Sequence, residues 1–387
     1  MRVLIAPDCF GGTLTAREAA SAMAAGWRSA KPADELVLRP LADGGPGFVD
    51  VLHASLGGTV HSVSVTGPLG TPVTARWLEH DGTAYIESAE ACGLHLVPAG
   101  MRPEVCETVT TRGVGELIRA AWHLDTIVVG LGGSATTDGG AGLFEILDDL
   151  EPAGASPGSS LSTTTDSSGS PAGSYPQASQ PAGAPPGSSV SARSDSSGPR
   201  AKSYPQLIAA SDVENPLLGP HGAARTFGPQ KGASREAVER LEAKLAAMDR
   251  LKAVQDVPGA GAAGGLGAAL LSLGATIESG AGLVREKTRL DDALNGADLA
   301  VTGEGSFDWQ SLRGKLVTAV AQGAARKGIP CIVLAGQVSV GRREAASAGV
   351  QAAYSVSEHA GSTERSLNAP RETLEALAAH VARQWST

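Results

Sequence analysis

The sequence lacks several features that would assign it to a common protein class. Its four cysteines (Cys9, Cys92, Cys106 and Cys331) are far apart and form no CxxC pair, which excludes a zinc ribbon and fits a reducing compartment. No apolar run is long enough to cross a membrane, and the first one ends at Pro7, too early for a secretory signal peptide. We therefore expect a cytoplasmic protein.

Positive charge is also scarce. The chain has 31 Lys and Arg against 40 Asp and Glu, a net charge of −9, which argues against nucleic acid or an anionic membrane as a partner. A Walker A motif is absent, because Arg313-Gly-Lys315 lacks the upstream glycine and the following Ser or Thr. The eight histidines show no metal-binding spacing. These features leave small molecules as the expected ligands and are compatible with a homo-oligomer.

Glycine, by contrast, is abundant, with 50 residues that occur partly in clusters. The sharpest cluster follows the predicted strand 126–130 and continues to Gly142. Backbone N–H groups in such a loop can point at phosphate oxygens, and its hydroxyl side chains add donors. The predicted nucleotide-binding residues are Gly132, Gly133, Ser134, Thr136 and Thr137.

A dinucleotide-binding fingerprint is embedded in the same loop, since Gly130-x-Gly132-x-x-Ala135 fits the Rossmann pattern. An NAD-dependent dehydrogenase therefore remains open at this point. Gly139 and Gly140 speak against it, because they weaken the helix that the fingerprint must begin.

Five predicted strands alternate with helices, two of them before a long interruption and three after it. They cover residues 2–6, 35–39, 298–302, 330–335 and 350–356. This order predicts one discontinuous, doubly wound α/β domain, residues 1–56 and 286–387, with a second domain, 57–285, inserted into it. The cleft between the two domains is the expected ligand site.

The inserted domain contains a tandem repeat at 152–206. It consists mainly of Ser, Gly, Pro and Ala, and its two copies are offset by 29 residues, as with SYPQ at 174 and 203. Such a composition cannot bury enough apolar area to fold, so we expect a disordered surface insertion.

Charged residues follow several of the predicted strands, where ligands bind in doubly wound sheets. Each could instead merely satisfy a turn. The acidic candidates are Asp8, Asp43, Asp138, Asp212, Glu304 and Asp308. The basic candidates for a carboxylate or a phosphate are Arg225, Lys231 and Lys315.

Taken in order, the segments resemble the glycerate kinase family, which includes bacterial enzymes of glycolate and glucarate catabolism. The matching segments are APDCFGGTLTA (6–16), PLADGGPG (40–47), VTGPLG (65–70), IESAEACGLHLVP (86–98), TTRGVGELI (110–118), GLGGSATTDGGAG (130–142), ASDVENPLLG (210–219), FGPQKGAS (227–234), PGAGAAGGLGAAL (258–270) and VTGEGSFDWQSLRGK (301–315). Ten collinear matches outweigh one glycine fingerprint, so this resemblance overrules the dehydrogenase. A nonenzymatic protein that binds ATP or glycerate remains the alternative.

The resemblance implies a flavodoxin-like domain interrupted by an α/β domain, and a kinase that uses ATP and Mg²⁺ to convert D-glycerate to 2-phosphoglycerate, with 3-phosphoglycerate left open. The glycine loop would then bind the phosphates. Asp138, with Asp212 or Glu304, would hold Mg²⁺. Asp8, Asp43 or Asp308 would orient or deprotonate the hydroxyl, and Arg225, Lys231 or Lys315 would bind the substrate carboxylate or the γ-phosphate.

Two positions depart from the family pattern. Gly11 stands where the family usually has lysine, and Pro46 stands where it usually has glutamate. Loss of a cation near Asp8 would weaken binding of a phosphate or carboxylate there. Because the other motifs are intact, we expect the fold and the activity to be retained.

Overall fold

The computed structural model describes residues 1–150, 204–312 and 316–386. Its strands are β1 (Arg2–Ile5), β2 (Glu35–Leu38), β3 (Thr59–Thr66), β4 (Pro72–His80), β5 (Thr83–Glu87), β6 (Thr126–Gly130), β7 (Gln206–Ala210), β8 (Thr276–Glu278), β9 (Leu299–Thr302), β10 (Ser306–Phe307), β11 (Cys331–Ala335), β12 (Gln337–Val338) and β13 (Ala352–Ser355).

The α-helices lie between and around these strands. They are α1 (Ala16–Ala30), α2 (Phe48–Leu56), α3 (Ser88–Cys92), α4 (Arg102–Val105), α5 (Arg112–Ala120), α6 (Ala141–Leu147), α7 (Ala223–Phe227), α8 (Arg235–Ala246), α9 (Leu266–Ser272), α10 (Gly280–Lys287), α11 (Leu290–Leu294), α12 (Leu316–Ala325), α13 (Arg342–Ser347), α14 (Val356–Ala360), α15 (Thr363–Asn368) and α16 (Pro370–Trp385). No helix among the described residues is both long and apolar enough to span a bilayer.

The first sheet has five parallel strands in the order β13-β11-β9-β1-β2. Numbered along the chain, these strands lie in the order 2-1-3-4-5, which is the flavodoxin-like arrangement. The predicted doubly wound α/β fold is therefore confirmed. Helices α1 and α16 pack on one face around buried Trp27 and Leu377, and α12 packs on the other. Such two-sided cover explains why these strands are almost wholly apolar.

Helix α1 begins where its sequence predicts. The Thr15 side chain accepts a hydrogen bond from the Glu18 N–H, and the Glu18 carboxylate accepts one from the Thr15 N–H, so both free donors are satisfied. Two of the observed strands, β10 and β12, were not predicted from the sequence. They form a parallel ladder of two residues, which is too short to produce a periodic pattern.

The second sheet is mixed, in the order β3-β4-β5-β6-β7-β8. Strands β3 to β5 form an antiparallel meander, and β5 to β8 run parallel. Helices α5, α6 and α9 cover one face. On the other face Leu78, Tyr85, Val128 and Ile208 share a core with Phe48 of α2. Helix α2 thus connects the Asp43 loop to the second sheet. The predicted domain limits, 1–56 with 286–387 and 57–285, stay a prediction.

Most of the predicted repeat insertion, 152–203, lies outside the described residues. The last residues of the predicted segment belong to the folded body. The ring of Tyr204 meets the ring of Trp122 edge-on, with 6.2 Å between the ring centroids, and Gln206 begins β7.

Strands β1 and β9 are neighbours in the first sheet, and they are the pair at which its strand order reverses. Connections leave this point in opposite directions and open a crevice at the carboxyl ends of the strands. Asp8 follows β1 and Glu304 follows β9, and the Asp8 N–H donates to the Gly303 carbonyl at 2.8 Å. The two predicted acidic residues therefore lie at the switch point.

Candidate active site

Four acidic residues interact through their charges at this crevice. Burial raises the pKa of Asp8 well above its usual range, and the negative charges of Asp43 and Glu304 add to the rise. A hydrogen bond of 2.6 Å from the Cys9 N–H to Asp8 Oδ1 opposes it only in part. The structure thus brings three of the predicted acidic residues together.

Asp212 also lies near Asp43. It accepts hydrogen bonds from Ser279 Oγ at 2.6 Å and from the Ala281 N–H at 2.9 Å, at the start of α10. Partial desolvation of the exposed Asp212 side chain raises its pKa, and the charge of Asp43 contributes to the rise. Asp43 therefore interacts with Asp8 as well as with Asp212. We call Asp8, Asp43, Asp212 and Glu304 the acidic group.

The glycine loop packs against the loop that carries Asp43. A Cβ atom on Gly132 would lie 2.5 Å from Gly45 Cα, and one on Gly133 would lie 2.8 Å from the Pro46 ring. Gly133 also has a φ of +65°, which disfavours other residues. The absence of side chains at these positions lets the two loops touch through their backbones.

Only part of the predicted nucleotide loop reaches solvent. Gly132 and Gly133 are accessible, whereas the side chains of Ser134, Thr136 and Thr137 are buried. The predicted contribution of those three hydroxyl groups to phosphate binding therefore has no support from their positions. The backbone of the same segment offers different donors.

The backbone N–H groups of residues 132–134 and 136–138 have no hydrogen-bond acceptor in the part of the chain that the structure describes. In contrast, the Leu131 N–H donates to the Ala210 carbonyl and the Ala135 N–H donates to the Cys92 carbonyl. Folded proteins rarely leave backbone donors unpaired, and successive free N–H groups form anion-binding concavities. We call residues 132–138 the anion loop.

The fingerprint for a dinucleotide has no helix behind it. Helix α6 begins only at Ala141, after an irregular segment, and Ala135 is buried. A dinucleotide pyrophosphate would need a helix to start directly at the end of the fingerprint. The dehydrogenase alternative is therefore not retained.

Lys231 is buried against the anion loop. Its side chain is 5% exposed, and Nζ donates to Ser134 Oγ at 3.0 Å and to the Thr136 carbonyl at 2.6 Å. Burial lowers the pKa of Lys231 to about 8. The predicted contact with substrate is thus replaced by contacts with the loop itself.

Asp138 has a structural role that the sequence did not reveal. Its carboxylate accepts hydrogen bonds from the N–H and Oγ1 of Thr111 at 2.9 and 2.8 Å, and from the N–H groups of Gly140 and Gly142. These four donors surround a carboxylate whose residue is only 5% exposed, unlike the solvent-exposed Asp212, and they fix the start of α6. We therefore do not retain Asp138 as a metal ligand.

The remaining predicted residues are not brought into the acidic group. Arg225 forms an exposed ion pair with Glu239 at 2.8 Å, so we do not retain it as a substrate ligand. Asp308 Oδ1 accepts from the Gln310 N–H at 2.8 Å and caps a turn. Lys315 lies outside the described residues.

Glu87 is a residue near the site that the sequence reasoning missed. Its side chain is buried, and Oε2 accepts hydrogen bonds from the Gly47 N–H at 3.0 Å and the Val49 N–H at 3.5 Å. Burial, followed by the charge of Glu90, raises the pKa of Glu87 to about 8. The available signal was an acidic residue ending an apolar strand, the same signal that identified Asp8.

We expect Glu87→Gln to become more stable relative to wild type as the pH rises from about 4.5 to about 8. Because the folded-state pKa is raised, ionisation of Glu87 opposes folding, so wild type loses stability across this window. Glutamine keeps the acceptor but has no charge to bury. Urea unfolding at several pH values measures the difference, and exposed Glu104→Gln is the control. Parallel curves for wild type and Glu87→Gln would contradict the prediction.

The two departures from the family pattern lie at the edges of the site. Gly11 lines a cavity of about 430 Å³ together with Asp8, Glu304 and Leu374, and a Cβ atom there would meet nothing within 4 Å. Space for a longer side chain is therefore present, but the φ of +37° at Gly11 disfavours any residue other than glycine. Pro46 is exposed, and its ring lies against Gly133.

Comparison with known proteins agrees with the fold and the motifs. A model of the glycerate kinase family matches residues 3–154 and 181–386. An uncharacterised protein of Mycobacterium bovis is 44% identical over 392 residues, covering 99% of this chain and 91% of that protein. Glycerate 2-kinase of Escherichia coli is 38% identical over 367 residues, covering 92% of this chain and 90% of that enzyme.

A solved structure resembles the whole chain as well. It is the crystal structure of a Salmonella typhimurium LT2 protein assigned as glycerate kinase 2, with a TM-score of 0.67 and 32% sequence identity. The alignment covers 99% of this chain and 98% of that protein. The chain therefore belongs to the glycerate kinase family of enzymes.

Proposed function

We propose that this protein transfers the γ-phosphoryl group of ATP to D-glycerate and forms 2-phosphoglycerate. The family and the name of the Escherichia coli relative support phosphorylation of glycerate at this position. The observation that carries the assignment is the contact between the anion loop, with its free N–H groups, and the loop that bears Asp43. An anion site next to a group of carboxylates is what phosphoryl transfer to a hydroxyl requires.

The anion loop would bind the phosphates of ATP. Its free N–H groups come from two runs of three residues, 132–134 and 136–138, and such successive backbone donors form anion-binding concavities. Phosphoryl transfer depends mainly on positioning and on neutralising charge, and backbone donors provide both without blocking the reacting groups.

Asp43 and Asp212 would hold Mg²⁺. Among residues 1–150, 204–312 and 316–386, no group of three or more His, Cys, Asp or Glu side chains could enclose a metal ion. A pair of carboxylates such as Asp43 and Asp212 suits Mg²⁺, because this ion is usually bound by one or two carboxylates together with substrate phosphates and water. When bound, it neutralises charge on the transferring phosphoryl group. Glu304, the other predicted ligand, would act on the Asp8 side of the crevice.

Asp8 would orient the hydroxyl of glycerate and accept its proton. It follows β1 directly at the switch point, and its backbone is tied to Gly303 of the neighbouring connection. This position on a rigid strand end holds the carboxylate still, which a general base needs.

A direct assay tests the proposal. Purified protein would receive ATP, Mg²⁺ and D-glycerate, with ADP release followed by a coupled assay and the product identified by ³¹P NMR. We expect ADP release that depends on D-glycerate, a 2-phosphoglycerate signal, and loss of turnover when EDTA is added. L-glycerate is the matched control.

Two outcomes would contradict the proposal in different ways. ATP binding without glycerate-dependent ADP release would favour the nonenzymatic alternative. A 3-phosphoglycerate signal would leave the kinase in place and overturn the assigned position of phosphorylation.

A further inference from the structure

Lys231 is an unusual lysine because its ammonium group is buried without a carboxylate in contact. Among the ion pairs of the described residues none includes it, and its recorded partners are the Ser134 hydroxyl and the Thr136 carbonyl. Burying a charge without a paired carboxylate costs free energy, so this arrangement indicates a functional role for the lysine. Both partners belong to the anion loop.

The end of α3 and the residues after it also hold the anion loop. The Ala135 N–H donates to the Cys92 carbonyl at 2.8 Å, and the Leu94 N–H donates to the Gly133 carbonyl at 2.7 Å. Lys231 adds contacts to Ser134 and Thr136. The loop is thus held by two separate segments, while the N–H groups of 132–134 and 136–138 remain without an acceptor among the described residues.

We propose that Lys231 is a positioning residue that holds the anion loop in its phosphate-binding conformation and places a positive charge next to it, without touching the nucleotide. This inference rests on the proposed function, in which the loop binds the phosphates of ATP. Lys231 is therefore not assigned as a catalytic residue, because its hydrogen bonds go to the anion loop and not into the crevice.

The titratable groups near Lys231 are Cys92 and Asp138. Their charges favour the protonated lysine, but burial outweighs them and keeps the pKa of Lys231 at about 8. The carboxylate of Asp138 is already engaged by Thr111 and the start of α6. The positive charge is therefore present at neutral pH and is lost as the pH rises through about 8.

The inference is tested with Lys231→Met, which keeps the length of the side chain and removes its charge and its donors. Isothermal titration calorimetry with MgATP would measure Kd, and steady-state kinetics would separate the KM for ATP, the KM for glycerate and kcat. We expect the Kd for MgATP to rise at least about tenfold, because the anion loop loses its two bonds to Lys231 and the positive charge next to it. The KM for glycerate should stay close to that of wild type.

The pH dependence distinguishes positioning from mere structural support. In wild type, the Kd for MgATP should rise as the pH increases from 7 to 9, because Lys231 loses its proton. In Lys231→Met this rise should disappear. A variant with the wild-type Kd and the wild-type pH dependence would overturn the inference.

Two further variants guard against a folding defect. Ser134→Ala removes one Lys231 partner and should raise the Kd for MgATP in the same direction by a smaller factor; an unchanged Kd would count against the inference. Lys252→Met, in an exposed ion pair with Asp249, should change nothing. If wild type binds MgATP but never phosphorylates glycerate, the proposed function fails while the binding comparison still decides the role of Lys231.

Discussion

Replacing Asp8 with asparagine should lower kcat for glycerate phosphorylation by about 10³-fold, within the range for loss of a general base. Asparagine has nearly the same shape but cannot accept the hydroxyl proton. The KM for ATP should change little, because among the described residues no recorded hydrogen bond joins Asp8 to the anion loop. Steady-state kinetics with varied ATP and varied glycerate would measure both constants.

The same variant should not be less stable than wild type. Burial and the charges of Asp43 and Glu304 raise the pKa of Asp8, so the ionised carboxylate opposes folding at neutral pH. Loss of activity without loss of stability is the signature of a functional residue that the fold tolerates at a cost. Asp308→Asn, at a turn cap outside the acidic group, is the matched control and should keep most of the activity. Equal losses in both variants would remove Asp8 from its assigned role.

The second large effect concerns stability. Asp138→Ala should lower the free energy of unfolding by about 3 kcal/mol or more, because it leaves several buried donors without an acceptor. These donors are the N–H and hydroxyl of Thr111 and the N–H groups of Gly140 and Gly142. Urea unfolding at pH 7 would measure the change in midpoint.

The control for this experiment is Asp249→Ala. Asp249 is exposed and pairs only with Lys252, and surface ion pairs contribute about 0–1 kcal/mol. If Asp138 instead bound Mg²⁺, wild-type stability would depend on Mg²⁺ and the variant would lose that dependence. That result, with little change in the metal-free midpoint, would restore the predicted metal-binding role.

The rule that ligands bind at the carboxyl ends of parallel strands identified part of the candidate site. Asp8 and Glu304 each follow an apolar strand, and parallel strands bring such residues to one edge of a sheet. The rule could not distinguish a functional acidic residue from a structural one. Asp138 and Asp308 carry the same local signal, yet one fixes a helix start and the other caps a turn.

Lys231 shows why side-chain roles needed coordinates. A lysine after a short helix, in the segment FGPQKGAS, is most simply expected to point into solvent or at an anion. The structure buries it because Ser134 and Thr136, almost a hundred residues away in sequence, meet it there. No local pattern records such a distant partner.

By itself, the sequence determined the elements and their order. Apolar strands, the Thr15 capping box and the glycine clusters act within a few residues, so local periodicity and backbone conformation are enough to predict them. The tertiary structure alone decided which carboxylates share the crevice, which glycines let two loops touch, and which charges are buried. Those outcomes depend on contacts between segments far apart in the chain, where packing and desolvation, rather than local preference, govern the free energy.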